Sequence, residues 1–372
     1  MDTVRHKKIN IEGVNIFYRE AGPADRPTVL LLHGWPSSSH MFRNLIPELA
    51  DRFHLIAPDY PGFGYSDAPS VNDFEYSFDN LSTIVEKFID SLGITKVSMY
   101  VQDYGGPIGF RIAQRRPELV RAIVVQNAAA HLEALAPSWE PFIEYWRDRA
   151  GNENAVRNFL KKETTIFQYT HGASQPEKIS PDAYVFDQAL LDRPGNDLIQ
   201  LELFYDYRNN PEKYPEWQQY LREHKPPMLV IWGENDPFFT KEGALAYTKD
   251  NPNATVKFLN AGHFALQQMR NEIMKEKKVV LVTGSSTGFG KLTAETLARA
   301  GYAVRATMRN VSGSNRAAAA NLEGLAKAES LDLKVVELDV LDSESVNTAV
   351  AQIVSESGRI DVLVNNAGVA YA

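Results

Sequence analysis

Four short runs constrain this chain more than any other feature: TVLLLHG at 28–34, FHLIAPDY at 53–60, KVSMYVQD at 96–103 and RAIVVQNA at 121–128. Each is β-rich and apolar without polar alternation. Strands of that kind are buried on both faces, which happens in a parallel sheet covered by helices on each side. Helical stretches around 38–50, 75–93 and 105–116 supply the cover. The reading is an α/β fold, and sheets of this class take their ligands outside the C-terminal ends of the strands.

From 129 to 222 the pattern changes to helical segments rich in aromatics, among them Trp139, Phe142, Tyr145, Trp146, Phe167, Tyr169, Tyr205 and Tyr207. Prolines 137, 176, 181, 194 and 211 punctuate it. Strand-like runs resume at PPMLVIWGEND (226–236) and TVKFLNAGH (255–263). An insertion between two strands of one sheet reads as a helical cap over its ligand-binding edge. A new unit then opens with MKEKKVVLVTGSSTGFGKLTAETLARAGYAVRATMRN at 274–310: a strand, a glycine-rich turn, a helix and a strand. The expected organisation is a domain at 1–273 and a second at 274–372, with Met274 read as a former start codon and the join as one between neighbouring coding regions.

A net charge of −8 argues against nucleic acid or an anionic membrane as partner, since both call for a basic footprint. The absence of cysteine removes disulfides, thiolate metal sites and cysteine nucleophiles, and no metal site is expected. The first twenty residues alternate like a strand and lack an apolar core, so no signal peptide is read there. No apolar run approaches the roughly 18 residues of a membrane helix. The expectation is a cytoplasmic protein acting on a small molecule, with its oligomeric state open.

The turn YVQDYGGPIG (100–109) places Asp103 at the apex of a sharp strand-to-helix turn where α/β-hydrolases usually carry a serine in G-x-S-x-G. With HGWP at 33–36, GENDP at 233–237 and AGHF at 261–264, each at the C-terminal end of a predicted strand, the first 273 residues resemble the aspartate-nucleophile branch of the α/β-hydrolase superfamily. That branch holds the epoxide hydrolases and haloalkane dehalogenases. A carboxylate, with an ordinary pKa of about 3.9, is ionised at neutral pH without help from a base. The resemblance implies that Asp103 attacks sp³ carbon to form an alkyl ester. His263 then activates the water that cleaves it, and Asp236 fixes the imidazole. Backbone N–H groups of Trp35 and Tyr104 are implied as donors to the oxyanion.

Epoxide hydrolases use cap tyrosines to hold the ring oxygen. YDYRNN at 205–210 places Tyr207 at one such position, while PFIEYWRD puts Phe142 at the other, with Tyr145 one helical turn away and Tyr169 a further candidate. Dehalogenases of this type usually carry a tryptophan after the nucleophile, where this chain has Tyr104, although the Trp35 indole offers another N–H. The expected substrate is therefore an epoxide, with a haloalkane as the alternative. No cofactor is expected for this reaction.

Residues 274–372 resemble the N-terminal half of a short-chain dehydrogenase/reductase with a Rossmann-type βαβ fold. TGSSTGFG at 283–290 follows a strand and opens a helix, the context in which Gly284, Ser286, Gly288 and Gly290 would bring backbone N–H groups to a pyrophosphate. Arg309 stands where an NAD-preferring site carries an acid, which implies NADP(H). The resemblance places Asp339 against adenine and Asn366 in the family's NNAG motif. The family's catalytic serine and Tyr-x-x-x-Lys pair would lie past Ala372, so no dehydrogenase activity is expected. Alternatives kept open are a catalytically impaired fusion with a passive NADP-binding tail, and a hydrolase gated by nucleotide.

Overall fold

The computed structural model describes residues 4–268 and 278–368. The expected join around Met274 falls outside the described residues. The chain divides into two compact units, Met1–Ile273 and Met274–Ala372. Among the described residues no helix is long and apolar enough to cross a membrane.

The first unit is built on eight strands: β1 (Arg5–Ile11), β2 (Val14–Ala21), β3 (Thr28–Leu32), β4 (His54–Pro58), β5 (Val97–Gln102), β6 (Val120–Gln126), β7 (Met228–Gly233) and β8 (Ala254–Leu259). Their order in the sheet is β1-β2-β4-β3-β5-β6-β7-β8. The β1–β2 and β2–β4 pairs are antiparallel and the others parallel. The apolar runs sit at the centre: Leu30, Leu31 and Leu32 are fully buried, and every residue of β4 is buried.

Helices α1 (Leu45–Leu49), α2 (Phe78–Ser91) and α3 (Gly105–Arg115) cover this sheet. On α2 the residues Leu81, Ile84, Val85, Phe88 and Ile89 recur at helical spacing and are buried. Ser77 starts that helix by accepting a hydrogen bond from the Asn80 N–H.

Six helices lie between β6 and β7: α4 (Glu140–Arg147), α5 (Arg149–Arg157), α6 (Lys162–Thr170), α7 (Pro181–Leu191), α8 (Asn196–Asp206) and α9 (Asn209–His224). Polar bonds fasten them to the sheet domain. The Phe78 N–H donates to Asp206 Oδ2 at 2.8 Å, and the buried Arg111 donates to Asn210 Oδ1 at 2.8 Å. The chain then closes with α10 (Lys241–Asp250) and α11 (Ala265–Gln268).

The second unit is a parallel sheet of β9 (Val279–Val282), β10 (Ala303–Met308), β11 (Leu333–Glu337) and β12 (Val362–Val364), in the order β11-β10-β9-β12. Helices α12 (Gly288–Arg299), α13 (Arg316–Ala328) and α14 (Ser343–Ser357) link the strands. Strand β12 lies at the sheet edge, with Leu363 56% exposed.

Candidate active site

Asp103 follows β5 directly and adopts φ +47, a left-handed backbone that a non-glycine residue takes up at a cost. The turn can be this tight because α3 begins at Gly105, where a Cβ would lie 2.2 Å from the Leu32 carbonyl oxygen. The result aims the Asp103 carboxylate out of the sheet. Its Oδ1 accepts the Trp35 N–H at 2.8 Å. Burial pushes the Asp103 pKa above the ordinary carboxylate value, against the opposing pull of the His263 charge and the backbone N–H groups of Trp35 and Tyr104.

His263 reaches the same place from the loop after β8. Its Nδ1 stands 2.9 Å from Asp236 Oδ2, and its Nε2 stands 3.8 Å from Asp103 Oδ2. A carboxylate at Nδ1 keeps the proton on that nitrogen and leaves Nε2 as an acceptor. Burial would lower the His263 pKa, but the charge and hydrogen bond of Asp236, joined by the charge of Asp103, outweigh it and raise the value above 6.5. Asp236 is held by the Phe238 N–H at 2.7 Å on Oδ1 and by Asn127 Nδ2 at 2.7 Å on Oδ2. The three residues singled out in the sequence thus converge on one point.

Three supporting amides escaped the sequence reading. Gln102 Nε2 donates to His263 Nε2 at 3.1 Å, and its buried Oε1 has no partner. Gln126 Nε2 donates to the His263 carbonyl at 3.2 Å and is itself held by the Tyr100 hydroxyl. Gln102 and Gln126 face each other in the register of β5 and β6. Asn127, at φ +42, accepts the Asp103 N–H on its backbone while its side chain holds Asp236. The available signal was that both central strands end in Val-Gln, in YVQD and VVQN.

Above Asp103 the cap closes a small cavity of about 40 Å³, bounded by Trp35, Asp103, Tyr104, Tyr207, Phe142 and His263 among others. At about 10–15 Å³ per water by this measure it holds roughly three. The walls missed by the sequence reading are Trp139, Phe159, Phe204 and Phe238, together with Gln168 of α6. Three buried donors there have no hydrogen-bond partner of normal geometry: Trp35 Nε1, Gln168 Nε2 and the Tyr207 hydroxyl, which has Tyr214 beside it. Burial, more than the Tyr214 and Asp103 charges, drives the Tyr207 pKa far up, so the hydroxyl keeps its proton. Trp139 Nε1 is committed to the Phe238 carbonyl at 2.9 Å.

The two tyrosines offered as substitutes for a second cap donor do not line this cavity. The Tyr145 hydroxyl turns to the Leu201 carbonyl at 3.4 Å, and that of Tyr169 is bound to the buried Asp187. Phe142 lines the cavity in the position where that second tyrosine was sought.

In the second unit Gly284, Ser286, Arg309, Asp339 and Asn366 border one open pocket of about 500 Å³. Gly288, at φ +57, and Gly290 lie in the first turn of α12 and are not among its lining residues. Asn366 ties the turn to β12 by donating to the carbonyls of Thr283 at 3.0 Å and Gly284 at 3.1 Å. Among the described residues no cluster of three or more His, Asp or Glu side chains could hold a metal ion.

Comparison with known proteins divides the chain in the same way. Residues 27–268 match the alpha/beta hydrolase fold family, and residues 278–372 match the short chain dehydrogenase family. The uncharacterized hydrolase YNR064C of Saccharomyces cerevisiae is 45% identical over 269 residues, covering 71% of this chain and 92% of that protein. The solved haloalkane dehalogenase DbeA from Bradyrhizobium elkani is 25% identical with a TM-score of 0.58, over 73% of this chain and 95% of its own. The epoxide hydrolase CorEH shares the fold at a TM-score of 0.59 and 20% identity, over 73% and 96% of the two chains.

Proposed function

Since the chain belongs to the alpha/beta hydrolase fold family, we propose that its first unit hydrolyses small epoxides through an alkyl ester on Asp103. The observation that carries this reading is the set of contacts at the carboxylate. One oxygen rests on the Trp35 N–H, the other faces His263 Nε2 at 3.8 Å, and the protonated Tyr207 hydroxyl borders the cavity in which a ring oxygen would sit.

In the first step an Asp103 oxygen bonds to an epoxide carbon. The ring C–O bond breaks towards the oxygen, which takes its proton from Tyr207. In the second, His263 Nε2 removes a proton from water as the water oxygen attacks the ester carbonyl carbon. The N–H groups of Trp35 and Tyr104 hold the oxyanion, and its collapse releases the diol and restores the carboxylate. The proton gained by His263 balances the one Tyr207 gave. A cavity with room for roughly three waters suits substrates of a few heavy atoms.

A second reading, haloalkane dehalogenation, is supported by the unpartnered N–H groups of Trp35 and Gln168. Such donors bind a departing halide without having to protonate it. A panel of short epoxides and haloalkanes tests both, with Asp103→Asn as control. Diol from epoxides, absent in the variant, supports the first reading, and halide release moves the protein to the second. A single turnover in H₂¹⁸O that leaves no label on Asp103 would exclude the ester in either case.

For the second unit we propose NADP(H) as ligand, because Arg309 borders the same pocket as Gly284 and Asp339. A guanidinium suits a 2′-phosphate. Titration should show NADPH binding more tightly than NADH, and equal affinity would refute the preference.

A further inference from the structure

On the outer side of the sheet domain, β1, β2, the segment after HGWP and helix α7 enclose an open basin of about 610 Å³. It takes no part in the chemistry above. Lys8, Arg19 and Arg43 border it, and no carboxylate does. On a chain with a net charge of −8, that is a local reversal of sign. Elsewhere in this unit cations are commonly paired, as in Arg157 with Asp197 and Lys241 with Glu234.

These three find neutral partners or none. Arg19 donates from Nε to Ser39 Oγ at 3.1 Å and faces His6 Nε2 at 3.0 Å, while Arg43 donates to the His40 carbonyl at 3.0 Å. Asp59, whose charge Arg19 feels, is already bonded by the Ser39 and Tyr65 N–H groups at 2.7 and 2.8 Å. The remaining guanidinium N–H groups and the Lys8 ammonium therefore have no carboxylate on the basin's border, while the buried Asp59 and Asp187 act on Arg19 and Arg43 from behind it.

Two further observations point to a ligand. His40 Nε2 is buried at the basin wall without any hydrogen-bond partner. Burial and the Arg43 and Arg19 charges push its pKa down to about 3, so the ring stays neutral in a cationic surrounding. The basin is also lined by a train of rings that ends at His40. Phe17 and Tyr65 lie 5.1 Å apart, Tyr65 and Phe186 5.6 Å, and Phe186 and His40 4.2 Å. Tyr65 is 47% exposed, which leaves a large aromatic face open to a flat partner.

We propose that this basin binds a planar aromatic anion, its ring against Tyr65 and Phe186 and its charged group on Arg19 and Arg43. Guanidinium pairs suit a carboxylate or phosphate equally, and the aromatic walls select a flat body over a bare ion.

Calorimetry on the full chain at low salt tests this with 2-naphthoate, 2-naphthyl phosphate and the neutral 2-naphthylmethanol. The expected result is binding of one or both anions at least tenfold tighter than the alcohol. Affinity should fall about tenfold in Arg43→Gln, and Tyr65→Ala should lose it without disturbing the Arg19 contacts to Ser39 and His6. Asp103→Asn should bind as the parent does, which separates this basin from the catalytic cavity. The comparison of naphthoate with naphthyl phosphate decides which anionic group is preferred. Equal binding of the alcohol, unchanged affinity in Arg43→Gln, or loss of binding in Asp103→Asn would each overturn the proposal.

Discussion

Gly34→Ala offers a direct test of how the nucleophile is positioned. An ideal Cβ on Gly34 would lie 2.4 Å from the Asp103 Cβ, 2.9 Å from its Oδ1 and 2.1 Å from Gln102 Oε1. Ordinary contact begins at 3.4 Å, so the Asp103 Cβ must retreat by about 1 Å. The Gln102 amide can turn away only by giving up its contact with His263, and Asp103 cannot turn away at all. Its backbone is fixed at φ +47 between β5 and a helix whose first glycine is packed on the Leu32 carbonyl.

A displacement of about 1 Å at a reacting group costs about 10²-fold in rate, equivalent to about 2.7 kcal/mol at the barrier. Overpacking should add a stability loss of about 1–3 kcal/mol. Gly34 does not occupy the left-handed region, so alanine meets no conformational penalty and the steric effect stands alone. Gly324→Ala, in open space within α13, serves as the control and should be neutral or stabilising by up to about 1 kcal/mol. The assay is kcat/KM on the best substrate alongside thermal unfolding. A Gly34→Ala protein that keeps activity within threefold at an unchanged Tm would refute the view that this glycine sets the carboxylate's position.

Further expectations concern the groups around the carboxylate. Asp236→Asn should remove the charge that fixes the His263 tautomer and slow ester hydrolysis by about 10⁴-fold, with the alkyl adduct on Asp103 detectable by mass spectrometry. Gln102→Ala removes the donor on His263 Nε2 at 3.1 Å. That donor competes for the lone pair that must take the proton from water, so the variant should leave ester formation unchanged and speed its breakdown about 3- to 10-fold, the worth of one hydrogen bond, as read from burst kinetics. Phe142→Tyr brings a second hydroxyl to the cavity wall beside Tyr207, and should raise epoxide turnover several-fold while leaving haloalkane turnover unchanged. A parallel rise in both would remove the reason for assigning the cap tyrosines to the ring oxygen.

The core of the first site was legible because its parts are local in sequence. Asp103, Asp236, His263 and Trp35 each follow the end of a strand, and a parallel sheet gathers such ends on one edge whatever the loops contain. The amide layer was less visible. Gln102 and Gln126 stand at the ends of runs that are otherwise apolar, and their meeting with His263 depends on the register between β5 and β6.

The choice among the candidate cap residues was open in the sequence for a different reason. Phe142 and Tyr145 lie three residues apart on α4, so helical spacing places both near one face. Packing turned Phe142 to the cavity and Tyr145 to the Leu201 carbonyl of α8. Gln168 carried no signal, since one amide on a helix is ordinarily a surface residue. In the second unit the contiguous glycine turn was readable, whereas the shared pocket of Gly284, Arg309 and Asp339 depends on the alignment of β9, β10 and the end of β11.

The electrostatics of the catalytic pair bear on the order of events. A general base must be neutral when it meets its water, yet the His263 pKa lies above its ordinary value in the free protein. Burial lowers it, while Asp236 and then Asp103 raise it. Asp103 in turn is pushed up by burial and drawn down chiefly by His263. Each group therefore favours the charged form of the other across 3.8 Å. Forming the ester removes the Asp103 charge and with it one of the influences that raise the His263 pKa. The neutral imidazole is thereby favoured at the stage where Nε2 must accept a proton. The direction is fixed by that sign: the His263 pKa should be lower in Asp103→Asn, an uncharged stand-in for the ester, than in the parent protein. With the parent, activity should fall as pH drops through the raised Asp103 pKa, because the protonated carboxyl cannot attack. Titration of the His263 ring by NMR in both proteins measures the shift, and a pKa that stays level or rises in Asp103→Asn would break the coupling between the two steps.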